Sequence, residues 1–234
     1  AVSSGTAALQ VAVRSLDLKP GDEVIMPTFT IISCALVVVY AGATPVLVDS
    51  DPRTWTMDVN QVADKITPHT KAIMPVHIYG HPVDMDPLFT LAERYNLVII
   101  EDAAEVHGAE YLSGRNGPNP TWRRCGGLGH ISTFSFYANK IITSGEGGML
   151  VTNSEEYAKR ARMLKDQAFG QPRFIHEDIG FNFRMTNLAA AYAYASFEEV
   201  SEYIKKRGRN AELYNKYLCD IEGITLPPRS TDKI

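Results

Sequence analysis

The chain has 234 residues, 45% of them hydrophobic and 21% charged, with a net charge of −4. That is the composition of a globular protein with one sizeable core, and its acidic balance argues against a nucleic-acid or membrane-surface partner. No apolar run approaches the ~20 residues of a membrane span; the longest, Ile31 to Ala43, is broken by Ser33, Cys34 and Tyr40 and reads as a buried helix.

In chain order, helical patterns are predicted at Thr6–Leu16, Ile32–Ala41, Val59–Ile66, Pro87–Tyr95 and Glu155–Lys165. Apolar strand-like runs are predicted at Glu23–Pro27, Pro45–Asp49, Ala72–Ile78, Leu97–Ile100, Ile131–Phe136 and Met149–Thr152. Near-continuous apolar strands that alternate with helices indicate an α/β fold with a largely parallel sheet covered on both faces. Turn signals stand at Lys19-Pro20-Gly21-Asp22 and Gly42-Ala43-Thr44-Pro45. Ser113–Gly129, with its Gly-Arg-Asn-Gly-Pro-Asn-Pro run, is expected to be an exposed loop or mobile lid. From Asn187 to Tyr217 the sequence reads as one long helix, first rich in Ala and Tyr and then in charge, leaving the core toward a second domain or subunit. There are no internal repeats.

Cys34, Cys125 and Cys219 lie far apart, and an odd count without C-x-x-C spacing argues against a disulfide framework and against zinc. A reducing cytoplasm is the simplest compartment, and no secretory leader pattern opens the sequence. His77 and His81 have a metal-like spacing, but Gly80 and Pro82 break the helix such a site needs. The sequence starts without Met and stops soon after its last helical pattern, so it is expected to be a piece lacking sequence at both ends.

Four features carry chemistry. Ser3-Ser4-Gly5-Thr6-Ala7 precedes a helix and sets free N–H groups and hydroxyls where a phosphate binds, although the same residues serve as an ordinary N-cap. Val98-Ile99-Ile100-Glu101-Asp102 is an apolar strand ending in two acids, and strand C-termini line the ligand crevice of open α/β sheets. A carboxylate there can pair with a protonated pyridine nitrogen; the competing readings are a helix cap and a metal-binding pair. Ser135 and Lys140 flank the end of another strand, one offering a hydroxyl for phosphate and the other an amine for a carbonyl cofactor. Asn182 and Arg184 lie among aromatics before the exit helix, where Thr186 or Asn187 is the candidate cap.

Phosphate cradle, strand-end Asp and strand-end Lys, in that order, resemble a pyridoxal phosphate enzyme with an aspartate-aminotransferase-like large domain. The stretches SSGTAAL, GDEVIMPTFT, GATPVLVD, PVHIYGHPVDMDPL, IIEDAAEVHGA, FSFYANKIITSGEGGMLVT and GFNFRMTNLAAA resemble the DegT-type sugar-nucleotide aminotransferases. The resemblance runs from residue 3 to about 190. It implies a three-layer α/β/α large domain with a mostly parallel mixed sheet over residues 1–186, and over 187–234 an exit helix and the start of a truncated small C-terminal domain. It implies pyridoxal 5'-phosphate held as a Schiff base on Lys140, Asp102 at the ring nitrogen, and Gly5, Thr6, Ala7 and Ser135 around the phosphate. Asn182 matches the residue that reaches the phosphate in the neighbouring subunit, which implies a homodimer with shared sites. Glu105 stands where many members carry Gln near the ring hydroxyl, and Glu there resembles the GDP-perosamine synthase branch, which aminates GDP-4-keto-6-deoxymannose for cell-surface polysaccharide. Ile31 departs from the family, in which an aromatic often stacks on the ring; it covers the ring by dispersion only, and Phe29 is the candidate to compensate.

The implied reaction is transamination of a nucleotide-linked keto sugar with glutamate as donor, at C4 or at C3. Three other readings stand beside it. A sugar 3-dehydratase of the same fold carries His at the lysine position, which Lys140 contradicts. A nucleotide-binding dehydrogenase needs G-x-G-x-x-G after its first strand, and Pro27-Thr28-Phe29-Thr30 is not that. The third is a cofactor-binding piece without turnover.

Overall fold

The computed structural model describes all residues except 116, 118, 177, 229–232 and 234. Helix α1 (Gly5–Arg14) starts where Ser4 caps it, its hydroxyl accepting from Ala7 N–H. α1 buries Ala7, Ala8, Leu9, Val11, Ala12 and Val13, so it runs through the middle of the core rather than over its surface. Then follow β1 (Glu23–Pro27), α2 (Ser33–Tyr40), β2 (Thr44–Val48), α3 (Val62–Lys65), β3 (Thr70–Ile73), α4 (Met85–Tyr95) and β4 (Val98–Asp102). Next come β5 (Glu110–Ser113), β6 (Thr121–Arg124), β7 (Ile131–Ser135), β8 (Gly148–Val151), α5 (Glu155–Lys165), α6 (Asn187–Glu198) and α7 (Val200–Leu218).

Six strands form one mixed sheet in the order β2-β1-β3-β4-β7-β8, all parallel except β8, which runs antiparallel to β7. Strand alternation sends Ile25, Ile73 and Ile99 to one face, where they pack with Met85, Leu88 and Phe89 of α4. Val24, Met26, Ala72 and Ile100 go to the other face, against Leu9, Ala12 and Val13 of α1 and Val37 and Val38 of α2. Two apolar layers across one sheet give the three-layer α/β architecture expected from the sequence.

The structure corrects three details. Ser113–Gly129 is not loop throughout: β5 and β6 pair antiparallel, with Tyr111 fully buried. Gly114, Gly117 and Pro120 stand between these strands, and the density of turn residues in the sequence hid the short strands beside them. The long C-terminal helix is two, since Glu199 (φ −93°, ψ 3°) leaves helical geometry between α6 and α7. The strand expected at Ala72–Ile78 ends at Ile73, and only Val76 still bridges, to Asp102. Pro75 has no N–H to extend the ladder.

The end of β4 is tied to the segment before β7 by one buried acid. Glu101 accepts from the backbone N–H groups of Gly126, Leu128 and Gly129, from Ser132 Oγ and from His77 Nε2. Val83 N–H donates to His77 Nδ1, so the ring presents its proton on Nε2 to Glu101. Burial works against the charge of Glu101, but the hydrogen bonds from His77, Ser132 and Gly129 outweigh it and hold its pKa at about 2. A carboxyl lowered in the folded state stabilises fully above its unfolded pKa and loses that contribution as pH falls toward its folded one. We expect Glu101→Gln to cost roughly 3 kcal/mol at neutral pH. In denaturant unfolding, its deficit against the native chain should shrink by roughly half between pH 7 and pH 3.

Candidate active site

The start of α1, the β1–α2 turn and the C-terminal ends of β4 and β7 surround a cavity of about 390 Å³. Such ends are where open α/β sheets bind ligands, because loops and helix N-termini converge there. Among the expected site residues, Gly5, Thr6, Ile31, Asp102, Glu105, Ser135 and Lys140 all line this one cavity.

Lys140 follows β7 in a turn closed by its own N–H to Tyr137 O. Its Nζ lies 2.8 Å from Glu105 Oε1, and the lysine side chain is 15% exposed. The other oxygen of Glu105 accepts from Tyr79 N–H at 2.8 Å. Tyr79 is left-handed (φ 51°, ψ 25°), a costly conformation for a bulky residue that turns its N–H onto Glu105. Glu105 is therefore braced by a backbone donor on one side and faces the amine with the other.

Asp102 closes the cavity floor at 2% exposure. Cys34 Sγ–H donates to its Oδ2 at 3.1 Å, and Ala104 N–H to its Oδ1 at 3.0 Å. Burial pushes its pKa up, against the opposing hydrogen bonds from Cys34 and Ala104. An acid in this state gains from a cationic N–H donor brought beside it.

The start of α1 packs closely on the end of β7. A methyl group at Gly5 would stand 2.7 Å from Ser135 Cβ, so only glycine lets the helix start meet Ser135 this closely. Thr6 Oγ1 lies 2.9 Å from Ser33 Oγ at the start of α2. Ala7 does not line the cavity, and its N–H is engaged by the Ser4 hydroxyl. The turn expected to cradle a phosphate is thus also an ordinary N-cap, and Ala7 serves the cap.

Besides Ala7, the structure separates two further expected residues from this group. Asn182 is exposed and lies outside the cavity, in a backbone bridge with Asp166. Phe29 packs edge-on against Tyr79 at 5.9 Å between ring centres and does not line the cavity, whereas Ile31 does, at 57% exposure. The structure also brings in Cys34, Ser33 and His77, which the sequence does not single out for this site: the first two sit in what reads as a plain apolar helix, and the spacing of His77 suggests only a metal ligand.

Comparison with known proteins decides the family. Residues 1–233 match the model of the DegT/DnrJ/EryC1/StrS aminotransferase family. The chain belongs to this family. It is 47% identical over 220 residues to a GDP-perosamine synthase of Caulobacter vibrioides, covering 94% of this chain and 57% of that protein. It is 40% identical over 232 residues to a dTDP-3-amino-3,4,6-trideoxy-alpha-D-glucose transaminase of Streptomyces venezuelae, covering 99% of this chain and 59% of that protein. The crystal structure of S. venezuelae DesV in complex with a ketimine intermediate superposes with a TM-score of 0.88 at 39% identity, over 100% of this chain and 60% of that one. The chain thus spans less than two thirds of the length of these relatives.

Aminotransferases of this family depend on pyridoxal phosphate, and the residues of the cavity fit that group. A buried acid short of donors, a lysine beside the same cavity and a helix N-terminus at its rim are the three contacts a phosphorylated pyridine aldehyde requires. Gly5→Ala should overpack the α1–β7 contact at a cost of about 1–3 kcal/mol. Thermal melts of the cofactor-free chain should then show a midpoint lowered by roughly 3–8 °C.

Proposed function

We propose that this chain carries the cofactor site of a transaminase that moves an amino group from glutamate to a nucleotide-linked 4-keto-6-deoxy sugar, of the kind made by GDP-perosamine synthases. The observation that carries the reading is the convergence of Lys140, Asp102 and the Gly5–Ser135 contact on one cavity. When bound there, pyridoxal phosphate supplies an electron sink for the carbanion formed at the amino-donor carbon.

The chain's own residues supply the rest. Gly5, Thr6 and Ser135 hold the phosphate at the start of α1, where N–H groups and the helix dipole favour an anion. Asp102 accepts from the ring nitrogen and keeps it protonated. Lys140 would hold the cofactor through its amine and would carry the proton between the donor Cα and the cofactor C4′, acting first as base and then as acid. Glu105, fixed by Tyr79 N–H, holds the lysine amine at the cavity between these tasks.

A hollow of about 610 Å³ shares Lys140 with the cavity and lies against α6 and α7. Tyr192, Tyr203, Lys206 and Arg207 line it, a pairing of aromatic faces and cations that suits a base and a diphosphate. This supports a nucleotide-linked substrate over a free sugar. The exposed apolar residues of α6, Leu188, Tyr192, Tyr194 and Phe197, support a homodimer. In that assembly Asn182 reaches the partner's cofactor. The role suits a bacterial cytoplasmic step toward cell-surface polysaccharide such as O-antigen. We assign residues 1–186 to the cofactor domain and 187–234 to the exit helices and the start of a smaller domain.

The test is release of 2-oxoglutarate from glutamate, measured with a panel of nucleotide-linked keto sugars. We expect turnover with a 4-keto-6-deoxy sugar. Lys140→Ala should reduce turnover by at least about 10³-fold while still retaining the aminated cofactor. Sustained multiple turnover in that variant would overturn the assignment.

A further inference from the structure

Asp102 has two hydrogen-bond donors among the described residues, and one of them is a thiol. Cys34 is the second residue of α2 and is fully buried, packed among Val24, Met26, Val37 and Val38. Its surroundings are those of an apolar filler, but its contacts are not. Thr30 Oγ1–H reaches Cys34 Sγ at 3.2 Å, closer than its other acceptor Ile31 O at 3.4 Å, and Cys34 S–H donates to Asp102 Oδ2, 3.1 Å away. The preceding residue, Ser33, meets Thr6 at the phosphate end of the same cavity. One turn of α2 thereby touches both ends of the site.

We propose that Cys34 is a positioning residue for the cofactor ring: through the Thr30–Cys34–Asp102 chain its thiol fixes the carboxylate at the cavity floor for the ring N–H. The inference rests on the reading of the cavity as a pyridoxal phosphate site and concerns a residue that does not touch the cofactor itself. Burial, together with the neighbouring Asp102 charge, raises the thiol pKa well above its ordinary value, so Cys34 stays a donor throughout the working pH range. The groups facing Asp102 are Cys34 from α2, His77 from the segment after β3, Glu105 just beyond β4, and Lys140 across the cavity. Burial raises the pKa of Asp102 and the Cys34 hydrogen bond opposes that rise. Without the thiol the carboxyl takes up a proton at higher pH, and a protonated acid no longer accepts from a protonated ring nitrogen.

The experiment titrates pyridoxal phosphate into cofactor-free wild type, Cys34→Ala and Cys34→Ser from mildly acidic to mildly alkaline pH, following visible absorbance. Cys34→Ala should bind about 10-fold more weakly, as expected for one lost hydrogen bond to a charged group. Its binding should also fall off about one pH unit higher than in wild type. Cys34→Ser keeps a donor and should recover both within about twofold. A purely packing role predicts weaker binding with no displaced pH midpoint, and that result overturns the proposal, as does a serine variant as defective as alanine. Should Cys34→Ala fail to fold, the infrared S–H stretch of Cys34, assigned by its loss in Cys34→Ser, decides. A frequency below that of a small alkanethiol in hydrocarbon solvent supports the bond, and an equal frequency overturns it. Wild type that binds no pyridoxal phosphate overturns the reading of the cavity and this inference together, whereas binding with an unmoved midpoint in Cys34→Ala overturns the inference alone.

Discussion

A buried central strand that ends in two adjacent carboxylates has to find donors for both, and the rest of the structure follows from how unequally it does so. Neighbouring residues on a strand face opposite ways, so Glu101 and Asp102 draw on different surroundings. Glu101 collects three backbone N–H groups, a hydroxyl and an imidazole. Asp102 collects one backbone N–H and one thiol. The satisfied acid serves as an internal clamp. The under-supplied one keeps capacity for a donor that arrives from outside the chain, and the proposed function uses that capacity.

The clamp also positions the second half of the site. By fixing the 126–129 segment to the end of β4, Glu101 sets where β7 begins, and β7 delivers Ser135 to α1 and carries the chain on to Lys140. The start of α1 is held just as tightly from the other side. Val2 exchanges two backbone hydrogen bonds with Gly148 at the start of β8, and a side chain at Gly148 would press on Ser4 O at 2.3 Å. Glycines at 5 and 148 therefore let one helix N-terminus meet two strands at once. This end of the cavity is built by close backbone approach rather than by charged side chains, which suits an anion bound through N–H groups.

Much of this was legible because the fold repeats simple units. Alternation of apolar runs and helical patterns places Asp102 and Lys140 at strand ends, and a parallel sheet brings those ends to one rim whatever the details of the loops. What stayed hidden depends on contacts between distant segments. Cys34 in Ser-Cys-Ala-Leu-Val-Val-Val reads as core because its neighbours are core, and only the fold sets it 3.1 Å from Asp102. Ala7 sits in the right turn, but a cap hydroxyl competes for its N–H, and no spacing rule decides that competition. The β5–β6 ribbon escaped because turn residues outnumber strand residues in its window. Phe29 and Ile31 are two apart in a loop, and which of them faces the cavity is set by Tyr79, a residue fifty positions onward.

Tyr79 also shows how the site is kept poised. Its left-handed backbone is held by contacts on both sides: the ring packs on Phe29, and the N–H is spent on Glu105. Glu105 in turn places Lys140. In the proposed function this amine alternates between holding a carbonyl and carrying a proton, so it cannot be locked to one partner by many bonds. A single carboxylate, itself immobilised from behind by a backbone donor, gives it a defined resting place and still lets it leave. The strain at Tyr79 thus lies two contacts away from the Lys140 amine, where it fixes the partner and leaves the lysine free to move.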